Sequence, residues 1–202
     1  MNKGLVFKSE THEYFVDGIK YPSVSEIISP LVDLSGVPKA NLEKARKYGI
    51  ALHDTLKFYL KGTLDEEKLD SGLKLPLEGF KKFIKGKKSE IIFYEKPLYH
   101  NKLKYAGTPD LLMTDGLYDF KSRPFNPIAD PIQLEAYYQL VQITSGYKVE
   151  KKLFVLEFDL EGNVRVVNAY RKQAKGIFRT LLDYYYSEIE FNQTLNGWRN
   201  NL

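Results

Sequence analysis

Cysteine is absent from the 202 residues, which removes disulfides, thiolate zinc sites, cysteine nucleophiles and cysteine-ligated iron–sulfur clusters in one step. Any metal must then be held by oxygen or imidazole. Long apolar runs are also missing: none approaches the roughly 18 residues that span a bilayer. The opening "MNKGLVFKSETHEYF" lacks the apolar stretch of a signal peptide, so a cytoplasmic protein with no membrane partner is expected. Strong charge bias is lacking as well. The formal net charge of +4 suits a polyanionic partner and is equally common in proteins with none. No repeat, low-complexity tract or obvious linker interrupts the chain.

What is present is ordinary for a folded domain: 43% hydrophobic and 28% charged residues, near the averages for globular proteins. This length fits one domain able to bury about 70% of its unfolded surface. The expected organisation is a single domain over 1–202, with an N-terminal hairpin and short helix over 1–40, a core over about 41–170 and a C-terminal helix over 171–202.

"HEYFVDGIKY" alternates around Asp17-Gly18, a hairpin turn dipeptide. Ser23 and Glu26 form a capping box for a helix "VSEIIS" that Pro30 ends. "NLEKARKYGIALHDTLKFYLKG" spaces apolar residues by three and four, with Gly62 beyond its end, and predicts an amphipathic helix. A shorter helix, "LEGFKKFIKG", precedes the strand-like "EIIFYEKPLY". Asp130 is expected to cap a helix that opens on Pro131 and stops at Gly146. The strands "KKLFVLEFD" and "VRVVNAY" then flank Glu161-Gly162-Asn163, and a last helix begins near Lys172. Helices before, between and after strands predict an α/β fold.

The stretch "AGTPDLLMTDGLYDFKS", residues 106–122, reads as a tight hairpin. With Asp115-Gly116 as a two-residue turn, Leu112 pairs with Asp119 and Asp110 with Lys121. Asp110, Asp119 and Lys121 then share one face, the two carboxylates lying on a diagonal of about 7–8 Å. As charges alone, Asp110 and Lys121 would form a cross-strand ion pair with Asp119 solvated. The apolar "LLM" and "LYDF" around them predict burial on both faces, where an unpaired carboxylate is costly. A buried pair of this kind calls for a cation. Mg²⁺ takes oxygen ligands at about 2.0–2.1 Å, including one or two carboxylates, and keeps waters for chemistry. Lys121 beside such an ion could hold water or offset charge on a pentavalent phosphorus, which points to phosphodiester hydrolysis.

Pro109-Asp110 followed by Asp119-Phe120-Lys121 resembles the PD-(D/E)XK nuclease superfamily. Gly49 and His53 in "GIALH", Glu95 in "YEKPL", Gly107 in "AGTPD", and Gln133 and Tyr137 in "QLEAY" resemble its RecB-like exonuclease branch. "YPSVSEII" is similar to the start of phage-type and mitochondrial-type members. The resemblance implies a restriction-endonuclease-like α/β core with a mixed central sheet flanked by helices. It further implies an Mg²⁺- or Mn²⁺-dependent DNA exonuclease in recombination, repair or phage DNA processing, with DNA, single-stranded or with free ends, as partner. A sequence-nonspecific or flap-cutting endonuclease is the alternative, and a DNA-binding module that does not cut is a third. His53, Asp110, Asp119 and the Phe120 carbonyl are the implied metal ligands, with Glu95 near them. Lys121 would position the attacking water, and Gln133 and Tyr137 would order the site. Ser122, Arg123 and Arg46 are implied DNA contacts. The four-cysteine iron–sulfur subclass is excluded.

Each supporting residue also has an ordinary structural reading. His53 suits the flank of a helix's buried face, whereas on the resemblance Gly49, one turn earlier, would permit close backbone approach. Gln133 could complete a capping box with Asp130, Tyr137 could be core, Glu95 a surface charge, and Ser122-Arg123 an exposed loop. The lysines of "FKKFIKGKK" suit either a phosphate track or a solvated helix face. The segment "LLDYYYSEIEF" could stack bases, whereas Phe178, Leu182 and Tyr185 follow helical spacing and suit packing.

Overall fold

In the computed structural model, which describes residues 4–144, 147 and 149–199, with side chains to Thr194, the alternating N-terminal segment folds as three antiparallel strands. These are β1 (Leu5–Lys8), β2 (Glu13–Val16) and β3 (Ile19–Tyr21). Asp17-Gly18 makes the β2–β3 turn as expected, both with positive φ, 50° and 80°, as a two-residue primed turn requires. Ser23 and Glu26 close the capping box of α1 (Val24–Ile28), and Pro30 lies in a single 3-10 turn that follows.

The long amphipathic pattern forms α2 (Lys39–Lys61), ended by Gly62 in the left-handed conformation. α3 (Ser71–Gly86) starts before the expected Leu77, because the Asp70 carboxylate caps it by accepting from Gly72 N–H. β4 (Ile91–Tyr94), β7 (Leu111–Met113), β8 (Gly116–Lys121), β9 (Leu153–Phe158) and β10 (Val164–Asn168) form the central sheet in the order β10-β9-β8-β7-β4. β5 (Leu98–His100) and β6 (Tyr105–Gly107) pair beside it. Only β8 and β9 run parallel among these pairs, and α4 (Ala129–Thr144) makes the crossover that such pairing needs. α5 (Ala174–Arg199) follows β10. The architecture is therefore a mixed sheet flanked by helices.

Alternation across the strands separates two apolar layers. Leu112, Leu117, Leu153 and Val155 pack with α1, α4 and α5. Leu111, Met113, Tyr118, Phe120, Leu156 and Phe158 pack with α2 and α3. Phe178 and Leu182 of α5 belong to the first layer and Tyr185 packs against it, so these three residues are packing.

Two expectations are corrected. The β7–β8 turn is Thr114-Asp115, with Met113 paired to Gly116 and Leu112 to Leu117. Gly116 serves close approach instead: a Cβ there would lie 2.9 Å from the Lys152 carbonyl oxygen and from the Phe154 ring. Nor does Asp130 cap α4. Asn126 does, its side-chain oxygen accepting from Ile128 and Ala129 N–H. Asp130, fully buried, accepts from Asn126 N–H and from both arms of Arg123. The expected stop at Gly146 lies outside the described residues.

Candidate active site

The observed hairpin register places Asp110 opposite Asp119, where the sequence suggested Asp110 opposite Lys121. A shift of two preserves the face, so Asp110, Asp119 and Lys121 still point to the same side. The site lies at the carboxyl end of β8, beside the parallel neighbour β9 and below the start of α4.

Asp110 and Asp119 are buried, 6% and 2% exposed. Asp110 Oδ2 accepts from Phe120 N–H at 2.6 Å. Its Oδ1 lies 3.3 Å from His53 Nδ1. Glu95 follows β4 with φ of 46°, and its N–H donates to the Asp110 carbonyl at 2.8 Å. This locks its carboxylate 3.6 Å from the same His53 nitrogen. Donor atoms of His53, Glu95 and Asp110 all lie within 4.8 Å of one another.

His53 reaches the cluster from α2, and its Nε2–H donates to the Phe120 carbonyl at 3.1 Å. The nitrogen facing the acids is therefore Nδ1. That carbonyl, expected among the metal ligands, acts here as the orienting partner of the imidazole, the usual arrangement for a ligating histidine. Gly49, one turn earlier, does not mark a tight approach: a Cβ there would meet only Ser122 Oγ, at 3.5 Å. The tight glycine is Gly107, where a Cβ would lie 2.6 Å from Tyr137 Cε1.

Lys121 Nζ pairs with Asp119 Oδ2 at 2.5 Å and donates to Gln133 Oε1 at 2.9 Å. Gln133 Nε2 in turn donates to Tyr137 OH at 3.1 Å. Gln133 thus serves Lys121 and does not complete a capping box with Asp130. The helix α4 sets Gln133 and Tyr137 one turn apart on the face turned to β8.

The electrostatics favour a cation. Burial acts to lower the His53 pKa, but Asp110 and then Glu95 outweigh it and hold the imidazole well above its usual range. Burial acts to raise Asp110, but His53, Lys121 and the Phe120 N–H hold it below the ordinary carboxylate value. Asp119 is pushed up to about 7 by burial, with Asp110 adding to the rise and Lys121 opposing it. A hard divalent ion fits this donor set of two carboxylates and one imidazole, since oxygen ligands suit Mg²⁺ and imidazole is accepted by Mn²⁺.

A cleft of about 1020 Å³ opens from His53, Phe120 and Lys121, lined further by Lys44, Tyr48, Ser122, Arg123 and Phe125. Ser122 and Arg123 thus line the cleft, although Arg123 is held by Asp130. Arg46 is not among the lining residues and pairs with Glu43 on the exposed side of α2. Of the lysines in "FKKFIKGKK", Lys81 pairs with Glu66 and Glu78, and Lys87 with Asp115 and Tyr118. These two belong to local ion pairs. The sequence did not single out Tyr14, fully buried in the N-terminal sheet, whose hydroxyl hydrogen-bonds Thr108, two residues before Asp110.

No protein-family profile and no curated protein matches the sequence. Among solved structures, an alkaline exonuclease, LHK-Exo, from Laribacter hongkongensis is similar with a TM-score of 0.45 and 9% identity. LHK-Exo in complex with dAMP is similar with a TM-score of 0.44 and 10% identity. Each alignment covers 90% of this chain and 93% of the other.

Proposed function

We propose that residues 1–202 form one nuclease domain, a divalent-metal-dependent deoxyribonuclease that hydrolyses phosphodiester bonds at DNA ends. The observation that carries this reading is the convergence of His53, Glu95 and Asp110 within 4.8 Å, beside an ammonium group restrained by Asp119 and Gln133. Asp110, Glu95 and His53 Nδ1 would hold Mg²⁺ or Mn²⁺, with Asp119 completing the acidic wall. When bound, the ion supplies Lewis-acid polarisation of the phosphate and of a water.

The remaining work falls to the chain's own groups. Lys121 donates to the attacking water or to a phosphate oxygen, and restraint by Gln133 and Asp119 means little reorganisation as charge develops. Tyr137, through Gln133, keeps the acceptor oxygen turned to Lys121. The DNA strand is assigned to the cleft leading from Lys121, where Ser122 and Lys44 offer phosphate contacts and Tyr48 and Phe125 offer faces for bases. Action on ends in recombination, repair or phage DNA processing is favoured by the resemblance of the motif set to RecB-like exonucleases.

The test is a time course on end-labelled linear strands and duplexes beside a closed circle, with Mg²⁺, Mn²⁺ or chelator. Metal-dependent shortening of linear DNA with the circle intact is expected, and Asp119→Ala should abolish it without changing the melting temperature by more than a few degrees. Cutting of the circle would move the assignment to an endonuclease. DNA binding without any cleavage would sink the enzyme reading.

A further inference from the structure

Residues 122–128 join β8 to α4, and every one of them lines the cleft that leads from Lys121. Carboxylates hold this wall in place. Phe125 N–H donates to the Glu157 carboxylate, and Asn126 N–H donates to Asp130 Oδ2 at 2.7 Å. Arg123 completes the arrangement: its Nη1 donates to Asp130 Oδ2 at 3.0 Å and to the Pro124 carbonyl at 2.8 Å, and its Nη2 donates to Asp130 Oδ1 at 2.5 Å. Asp130 itself is completely buried.

A buried ion pair is weak evidence of a stabilising device, because well-packed apolar residues of similar volume hold a loop as firmly or better. The hydrogen bonds show what this pair achieves besides anchorage. A guanidinium carries five N–H donors in a fixed plane. Asp130 takes the two at its end, one from each Nη, and Pro124 takes the second Nη1 donor. Nε–H and the other Nη2–H are left without an acceptor among the described residues. Those two lie parallel along one edge, the fork that matches two oxygens of a phosphate. The side chain that carries them is 45% exposed and lines the cleft beside Lys121 and Ser122.

On the nuclease reading, we propose that Asp130 is a positioning residue for the substrate, holding Arg123 so that its open edge grips a non-scissile phosphate of the bound strand. This differs from what a lone surface lysine does. Asp130 offsets the arginine's charge, so the pair contributes fixed donor geometry more than attraction for any polyanion. The two contributions respond oppositely when Asp130 is neutralised. Freeing Arg123 makes the cleft more positive and would tighten binding through charge, whereas losing the fixed fork would weaken it.

The experiment measures binding of a fluorescein-labelled DNA single strand, in chelator so that nothing is cut, to wild type, Asp130→Asn, Arg123→Lys and Arg123→Ala. For each, kcat and KM on the same strand with Mn²⁺ and the melting temperature are also measured. Arg123→Ala and Arg123→Lys are both expected to bind about tenfold more weakly, the worth of one charge-assisted hydrogen bond. Asp130→Asn should also bind more weakly, despite its extra positive charge, with KM rising in step and kcat changing less. Tighter binding by Asp130→Asn, or wild-type affinity in Arg123→Lys, overturns the clamp and leaves the nuclease reading standing. If Asp130→Asn does not fold, the two variants at the half-exposed Arg123 decide the matter. A wild type that binds the strand with this pattern of variants, yet cuts nothing with Mn²⁺ or Mg²⁺, overturns the nuclease reading and leaves the clamp. Failure of the wild type to bind DNA overturns both.

Discussion

Lys121 shows how one side chain is tuned by what it touches. It is 14% exposed, between an Asp119 oxygen at 2.5 Å and the Gln133 oxygen at 2.9 Å. A compact ammonium with rotatable donors satisfies both and still offers a proton toward the cleft. A guanidinium is planar and wider, with donors fixed in a fork, and does not fit the same gap. Lys121→Arg is therefore expected to be as inactive as Lys121→Ala, with single-turnover cleavage falling by at least about 10²-fold in each. Gln133→Leu should fall less, because Asp119 still restrains the ammonium. An Arg variant that retained wild-type rates would show that only the positive charge matters.

At the scale of elements, two glycines that the motif pattern treats alike play opposite parts. Gly107 faces Tyr137 so closely that Gly107→Ala must push apart β6 and α4, with a cost of roughly 1–3 kcal/mol expected from overpacking. Gly49 lies inside α2, where a Cβ would make only an ordinary contact with Ser122 Oγ, so Gly49→Ala should gain about 0.5–1 kcal/mol of helix stability. Urea midpoints of the two variants moving in opposite directions would confirm this, and a destabilised Gly49→Ala would contradict it.

The same distinction marks what the sequence could disclose about structure. Signals that act within one element were legible: the capping box of α1, the period and terminal glycine of α2, and the Asp17-Gly18 turn all depend on neighbours in sequence. Asp115-Gly116 repeats that dipeptide, yet its glycine is used against β9, nearly forty residues later, while the Asp115 carboxylate is engaged by Lys87 and Tyr118. The start of α4 was misread for a similar reason, since Asp130 is claimed by Arg123 and Asn126 takes the cap. The face shared by Asp110, Asp119 and Lys121 was legible even so, because it depends only on the parity of the register. Glu95 was placed near them only by the resemblance, and what fixes it there, a positive φ and the hydrogen bond from its N–H to the Asp110 carbonyl, is a tertiary feature that neighbours in sequence do not disclose.

For the whole molecule, the acidic cluster is a cost that a cation would offset. Residues 53, 95 and 110 come from α2, from the end of β4 and from the connection leading into β7, so they are adjacent only when the chain is folded. An ion held by all three binds the native state and has little affinity for the unfolded one. It should then stabilise by mass action, about 2.7 kcal/mol at a hundredfold excess over Kd. For a chain of this length that amounts to a rise in Tm of roughly 5–10 °C. Thermal unfolding with saturating Mn²⁺ or Mg²⁺ should show such a rise and lose it on adding chelator. In Asp110→Asn the rise should shrink to little or nothing, because one of the three donors has lost its charge, whereas Arg46→Ala, which pairs with Glu43 and is not a donor of the cluster, should keep it in full. Equal metal-induced shifts in wild type and Asp110→Asn would place the binding elsewhere and remove the physical basis for the proposed chemistry.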